Sequence, residues 1–195
     1  MKKIMFNEQF GLQQATLDGS KTMTRRAVSE KTLEKWYDLE ENYRMAAPVD
    51  IPCYLEPMED FLIRNAPYKV GEIVAIAQRY SELWSPADLR HTDLVPTFGW
   101  DNKMYVKAEL MPRHIRILAL KVEGLAGISD EDCLKEGIQV LKGGFRNQDA
   151  YTFKGDKVWW KTPYLAYKEL IDRLNKRGYF ESNPMVYAYT YELVD

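Results

Sequence analysis

The 195-residue chain has few of the residues that most often carry chemistry on their own. Its two histidines, His91 and His114, and its two cysteines, Cys53 and Cys133, stand in no metal-ligand spacing. HExxH, CxxC and calcium-loop patterns are absent, so neither a metal nor a cofactor is expected. The serine-nucleophile pattern GxSxG is absent as well. Cys133 carries no nucleophile signature and reads as a small packed residue. No apolar run reaches the roughly 18 residues of a membrane-spanning helix. The opening MKKIMFNEQFG has two lysines without an apolar stretch behind them, so no signal peptide is expected. Two distant thiols fit a reducing compartment, which makes the cytoplasm the default location. Charge of one sign is also missing, since 27 Lys and Arg face 29 Asp and Glu. Proteins that grip long nucleic acids through phosphates are usually basic. Any nucleic-acid role here therefore rests on a local patch, or on a pocket for a single base or nucleoside.

What is present suits one α+β domain spanning residues 1–195. Residues 3–6 predict a short strand, with Asn7 capping a helix over about 8–18 that stops at Gly19. The alternation in SKTMTRRAV predicts an extended segment. Residues 29–46 predict one exposed helix, and Pro48, Pro52, Pro57 and Pro67 then predict loop with short extended pieces. The apolar run from Ile73 to Ala77 predicts a strand buried on both faces. Short and long strands are expected at 104–109 and 113–124, parted by Pro112. A change of phase between Ile115/Ile117 and Leu118/Leu120 predicts a bulge in the longer one. Ser129 is placed to cap a short helix ending near Gly137, and Thr162-Pro163 to start another, with Leu165, Leu170, Ile171 and Leu174 on its apolar side. Residues 138–161 read as loop or hairpin, and 184–194 as a final strand. Segments at about 27–67, 85–102 and 139–161 look like elaborations on a smaller core.

Gly19-Ser20-Lys21-Thr22 faintly echoes a phosphate-binding loop. That loop needs glycine directly before the lysine and a helix after it, and neither is found here. Two basic clusters stand out instead, Lys21, Arg25 and Arg26 in one and Arg113, His114 and Arg116 in the other. If their segments lie side by side, they form one local positive patch. If not, they are solvated strand edges of the kind lysine and arginine often guard.

The ordered set LDGSKTMTRR (17–26), VGEIVAIAQRYSELW (70–84), MPRHIRILALKVEGLAGISDEDCLKEGI (111–138) and NPMVYAYTYELV (183–194) resembles the larger phage- and bacterial-type ASCH-domain proteins. That family has a G-x-K-T-x-T-x-R segment after its first helix, an S-x-E-D-x-x-x-E-G helix and a closing NP-x-V strand. The resemblance implies a PUA-like small mixed β-barrel with flanking helices and a link to RNA. Together with the two basic clusters, the motif set points to a ligand cleft lined by Lys21, Thr22, Thr24, Arg25, Arg26, Arg113 and Glu136, with His114 and Arg116 as further nucleic-acid contacts and Tyr80 or Trp84 stacking on a base. One small group of the family consists of amidohydrolases of N4-acetylcytidine, whose catalytic Lys, Thr and Glu match Lys21, Thr24 and Glu136. The implied partner is thus RNA or a nucleoside or nucleotide, with amide hydrolysis as the alternative. A protein-interaction module in a phage or mobile-element context is the third reading. Regular alternation sets Lys21 and Thr24 on opposite faces, so a bend is required for them to act together.

Overall fold

A computed structural model describes residues 1–46, 55–85, 98–145 and 148–195. Its main sheet has five strands in the order β1-β3-β4-β7-β2. These are β1 (Lys2–Ile4), β2 (Met23–Ala27), β3 (Ile73–Ile76), β4 (His114–Gly124) and β7 (Met185–Leu193). The β1–β3 pair is parallel and the other neighbours are antiparallel. A separate hairpin joins β5 (Gln139–Phe145) to β6 (Gln148–Thr152). The helices are α1 (Leu12–Leu17), α2 (Glu30–Ala46), α3 (Met58–Asn65), α4 (Tyr80–Leu83), α5 (Asp130–Lys135) and α6 (Pro163–Leu174). The fold is thus mixed α+β. No closed barrel forms among the described residues, because β1 and β2 remain unpaired edges.

Local chemistry explains the elements that the sequence announces. The Ser129 hydroxyl accepts from the Asp132 amide and starts α5, and the Thr162 hydroxyl accepts from the Leu165 amide and starts α6. The expected bulge lies between Ile117 and Ala119, so Ile115 and Ile117 stay buried while Leu118 turns outward. Val74, Ala75 and Ile76 of β3 are fully buried. The principal core gathers these strands with Phe61, Leu62, Tyr167, Leu170 and the Tyr-rich face of β7. Among the described residues no helix is long and apolar enough to cross a membrane.

Other elements depart from expectation for identifiable reasons. Asn7 accepts from the Phe10 amide and closes a turn, and Gly11 adopts φ 71. The left-handed glycine prevents a helix from running through it, so α1 begins only at Leu12. Residues 58–65 are helical, with Pro57 just before the first turn, Glu59 and Asp60 near the helix start and Arg64 near its end. The strand expected at 104–109 is two 3₁₀ turns, Lys103–Tyr105 and Ala108–Leu110, the first capped by the Asn102 side chain. On α6 the inward face is Ala166, Tyr167 and Leu170, whereas Leu165 is exposed. Pro48, Pro52, Cys53 and most of the 85–102 segment lie outside the described residues.

The two basic segments are not neighbours. β7 runs between β2 and β4, so the single positive patch that their adjacency would create does not form.

Candidate functional site

Two edge strands frame the site. Arg26 of β2 donates from its guanidinium to the Met5 carbonyl just beyond β1, and this contact spans the gap between the sheet's edges. Beside it lies a cavity of about 280 Å³. Met5, Phe6 and Asn7 line it from the β1 side, and Thr24, Arg25 and Arg26 from β2. Tyr167, Leu170 and Leu174 of α6 close the opposite side, and Lys21 and Glu136 also line it.

The approach to β2 brings Lys21 to Glu136. After α1 the chain turns at Gly19, which takes φ 78, and the Lys21 amide donates to the Ala15 carbonyl at 2.8 Å. The Thr22 amide then donates to the Lys135 carbonyl at 2.9 Å, docking the segment on the end of α5. Lys21 and Thr22 therefore precede the strand, and regular alternation starts only at Met23. That bend is what allows Lys21 and Thr24 to line one cavity.

Lys21 is 2% exposed, and its ammonium donates to three oxygens. These are the Met23 carbonyl at 2.7 Å, the Glu136 carbonyl at 2.8 Å and Glu136 Oε2 at 2.6 Å. Glu136 is the C-cap residue of α5, so Lys21 satisfies both its side chain and a carbonyl freed by the end of the helix. Arg25 occupies the other carboxylate oxygen, with Nη1 3.2 Å from Glu136 Oε1. It also donates from Nη2 to Asp132 Oδ2 at 2.9 Å and from Nε to Glu123 Oε1 at 2.8 Å. Lys121 and Lys135 reach Asp132 from outside. The result is a chain of alternating charges, Lys21–Glu136–Arg25–Asp132/Glu123.

Burial pulls the Lys21 amine below its ordinary lysine value, against the pull of Glu136. For Arg25 desolvation acts in the same downward direction, but Glu136, Tyr167, Asp132 and Glu123 outweigh it and hold the guanidinium above its usual value. Asp132 is held below the ordinary carboxylate range. Its partial desolvation is overcome by hydrogen bonds from Arg25 and Lys135. Cys133 is a free, buried thiol pushed up to about 12 by burial, with Asp130 adding to the shift. It stays protonated and unreactive at neutral pH.

Chemically, the cluster offers an amine, a hydroxyl and a carboxylate. Lys21 must release one of its donated protons to act as a base, and its lowered pKa eases that release. Thr24 lies on the same cavity, 5% exposed. Arg26 differs from its neighbour Arg25. It has no carboxylate partner among the described residues, and its guanidinium sits 5.5 Å from the centre of the Phe6 ring.

The remaining expected site residues lie elsewhere. The Thr22 backbone is taken up by α5 and β7. Tyr80 is buried against Trp84 at 5.4 Å in a second core with Ala75, Val106 and Met111, and its hydroxyl accepts from the Lys107 amide. Neither ring lines the cavity. Arg113 is exposed, His114 contacts Asp195 at 2.7 Å, and Arg116 pairs with Glu192 at 3.2 Å. His91 lies outside the described residues.

Sequence reasoning missed Phe6, Glu123, Asp132 and Tyr167 as parts of the site. Only Tyr167 had a legible signal, since positions 163, 166, 167 and 170 share one helical face. Comparison with family models, curated proteins and solved structures returns no match, so the site stands on its own geometry.

Proposed function

We propose that this chain is an ASCH-type domain, with a PUA-like barrel, that takes up a single nucleoside or nucleotide in the cavity between β1 and β2. The cavity carries the reading: it pairs an ionic wall of Lys21, Arg25 and Glu136 with an apolar wall of Leu170, Ile171 and Leu174. Its volume of about 280 Å³ falls just below the usual span of ligand sites, roughly 300 to 1,000 Å³. That size suits one nucleoside better than an oligomer. Lys21 and Arg25 are already committed to carboxylates, so an RNA strand finds little free positive charge there and must insert a single base. The approach of the sheet's two edges through Arg26 and Met5 supports the barrel. Titration at low salt with cytidine, N4-acetylcytidine and short RNA oligomers tests the reading. Saturable nucleoside binding is expected, and no binding of any of the three overturns it.

The second reading is an amidohydrolase acting on an acylated nucleoside. It is favoured by the 2.6 Å Lys21–Glu136 contact on the cavity that Thr24 also lines. Lys21, as the free amine, takes the Thr24 hydroxyl proton while Oγ1 attacks the amide carbonyl. Collapse of the tetrahedral intermediate breaks the C–N bond, and the proton passes to the leaving amine. Water then hydrolyses the acyl-threonine ester and releases the acid. Incubation with N4-acetylcytidine is expected to yield cytidine and acetate, and to do so no longer in Lys21→Ala. Absence of turnover at high enzyme concentration sinks this reading.

A further inference from the structure

Of the cations that line the cavity, Lys21 is paired with Glu136, and Arg25 with Glu123, Asp132 and Glu136. Arg26 lines it too, without a counter-charge among the described residues. It is partly buried, and buried charges are ordinarily paired. Its Nη2 donates to the Met5 carbonyl and its Nε is enclosed, whereas Nη1 is neither enclosed nor bonded. Burial lowers the pKa of Lys21 and raises those of Tyr68, Tyr189 and Tyr191, and the charge of Arg26 pulls all four down. The groups around Arg26 thus feel a positive charge that no carboxylate of its own cancels. Asn7 follows Met5 and Phe6 directly, lines the same cavity and is also partly buried. Its Oδ1 accepts from the Phe10 amide at 2.9 Å, which fixes which way the side-chain amide is turned. Its Nδ2, unlike Arg26 Nε, is not enclosed, and it has no partner among the described residues.

We propose that Arg26 Nη1 and Asn7 Nδ2 together hold an anionic group of the ligand, so that the cavity takes a nucleoside monophosphate in preference to the uncharged nucleoside. This assignment rests on the nucleoside-binding reading above and narrows it. A guanidinium is always charged, and its planar N–H groups match phosphate oxygens. A neutral amide beside it adds a donor without adding a like charge. The Met5 carbonyl and the Phe6 ring fix the guanidinium before any ligand arrives, so binding costs little further side-chain freedom. Lys21 does not compete for the phosphate, because its three donors are filled. One free cation suits one phosphate group better than a strand of them. The apolar wall of Leu170, Ile171 and Leu174 is left for the base. Arg26 and Asn7 are therefore specificity residues for the anion, separate from the Lys21–Thr24–Glu136 chemistry.

Calorimetric titration with cytidine and with cytidine monophosphate tests the assignment. The wild type is expected to bind the monophosphate at least roughly tenfold tighter, the worth of one hydrogen bond to a charged group. That preference should shrink as salt is added. In Arg26→Gln the ratio of the two affinities is expected to fall towards one. Asn7→Asp keeps the acceptor for the Phe10 amide and turns the free donor into a carboxylate, so the same ratio should fall there as well. Asn7→Asp leaves the Arg26–Met5 contact in place, which keeps the proposal testable if Arg26→Gln does not fold. Equal affinity of the wild type for the two ligands overturns this proposal and leaves the nucleoside reading intact. A preference that survives in either folded variant overturns it too. Failure of the wild type to bind either ligand removes both readings.

Discussion

The Lys21–Arg25–Arg26 segment and the Arg113–His114–Arg116 segment have much the same composition but opposite surroundings. In the first, Lys21 and Arg25 are buried and every hydrogen-bonding direction of the lysine is filled. In the second, Arg116 is 46% exposed and meets one equally exposed glutamate. The difference comes from what lies across from each segment. The first turn of α5 presents Asp132 and its C-cap presents Glu136 to the approach and start of β2, whereas the start of β4 faces water and the end of β7. Burial converts one set of charges into a fixed, directional cluster and leaves the other as loose surface pairs.

The largest test of that contrast is Glu136→Gln. It keeps the shape but leaves Lys21 and Arg25 without their shared buried carboxylate. A loss of about 3–5 kcal/mol is expected in urea unfolding, as for other broken buried pairs. A loss below about 1 kcal/mol would place this cluster in the same class as the surface pairs. Asp132→Asn, at the rim of the cluster, should lose less, about 1.5–3 kcal/mol at neutral pH for a hydrogen bond between charged groups. Because Asp132 is held below its ordinary value of 3.8, its contribution is complete above that value. It fades as pH falls through the folded-state value, so wild type and Asp132→Asn should converge in strong acid.

Lys21 supplies a pH test of the opposite sign. Its folded-state pKa lies below the ordinary 10.5, so between the two values the unfolded chain holds the extra proton. The stability of wild type relative to Lys21→Met should therefore increase as pH rises through that window and stay flat outside it. A decline setting in above 10.5 instead, measured by urea unfolding at successive pH values, would mean that Glu136 outweighs burial. The smallest effect belongs to the exposed segment. Arg116→Ala should change stability by less than about 1 kcal/mol, and that change should shrink further in high salt.

Much of the fold could be read in the sequence where a side chain acts on its own backbone. Ser129 and Thr162 cap the helices they were expected to cap, and the phase change after Ile117 is a bulge. Each signal is local and does not depend on the rest of the molecule. The misses have the complementary cause. Gly11 disfavours a helix by propensity without forbidding one, and composition alone does not reveal the left-handed turn it takes. Tyr80 and Trp84 look like stacking platforms until a second core claims them. For the site, Lys21, Thr24 and Glu136 were named in advance, but the bend that unites the first two depends on Thr22 docking to Lys135, 113 positions away in the sequence. No periodicity reports a contact of that span.

The unpaired edges that flank the cavity carry a consequence for self-association. Exposed strand edges recruit strands from other chains and start aggregation. Here β1 is three residues long and begins with Lys2 and Lys3, while β2 is five residues long and carries Arg25 and Arg26. Short edges make poor templates for an incoming strand, and the lysines that open β1 add to this. The gap in the sheet therefore offers an incoming strand little to pair with.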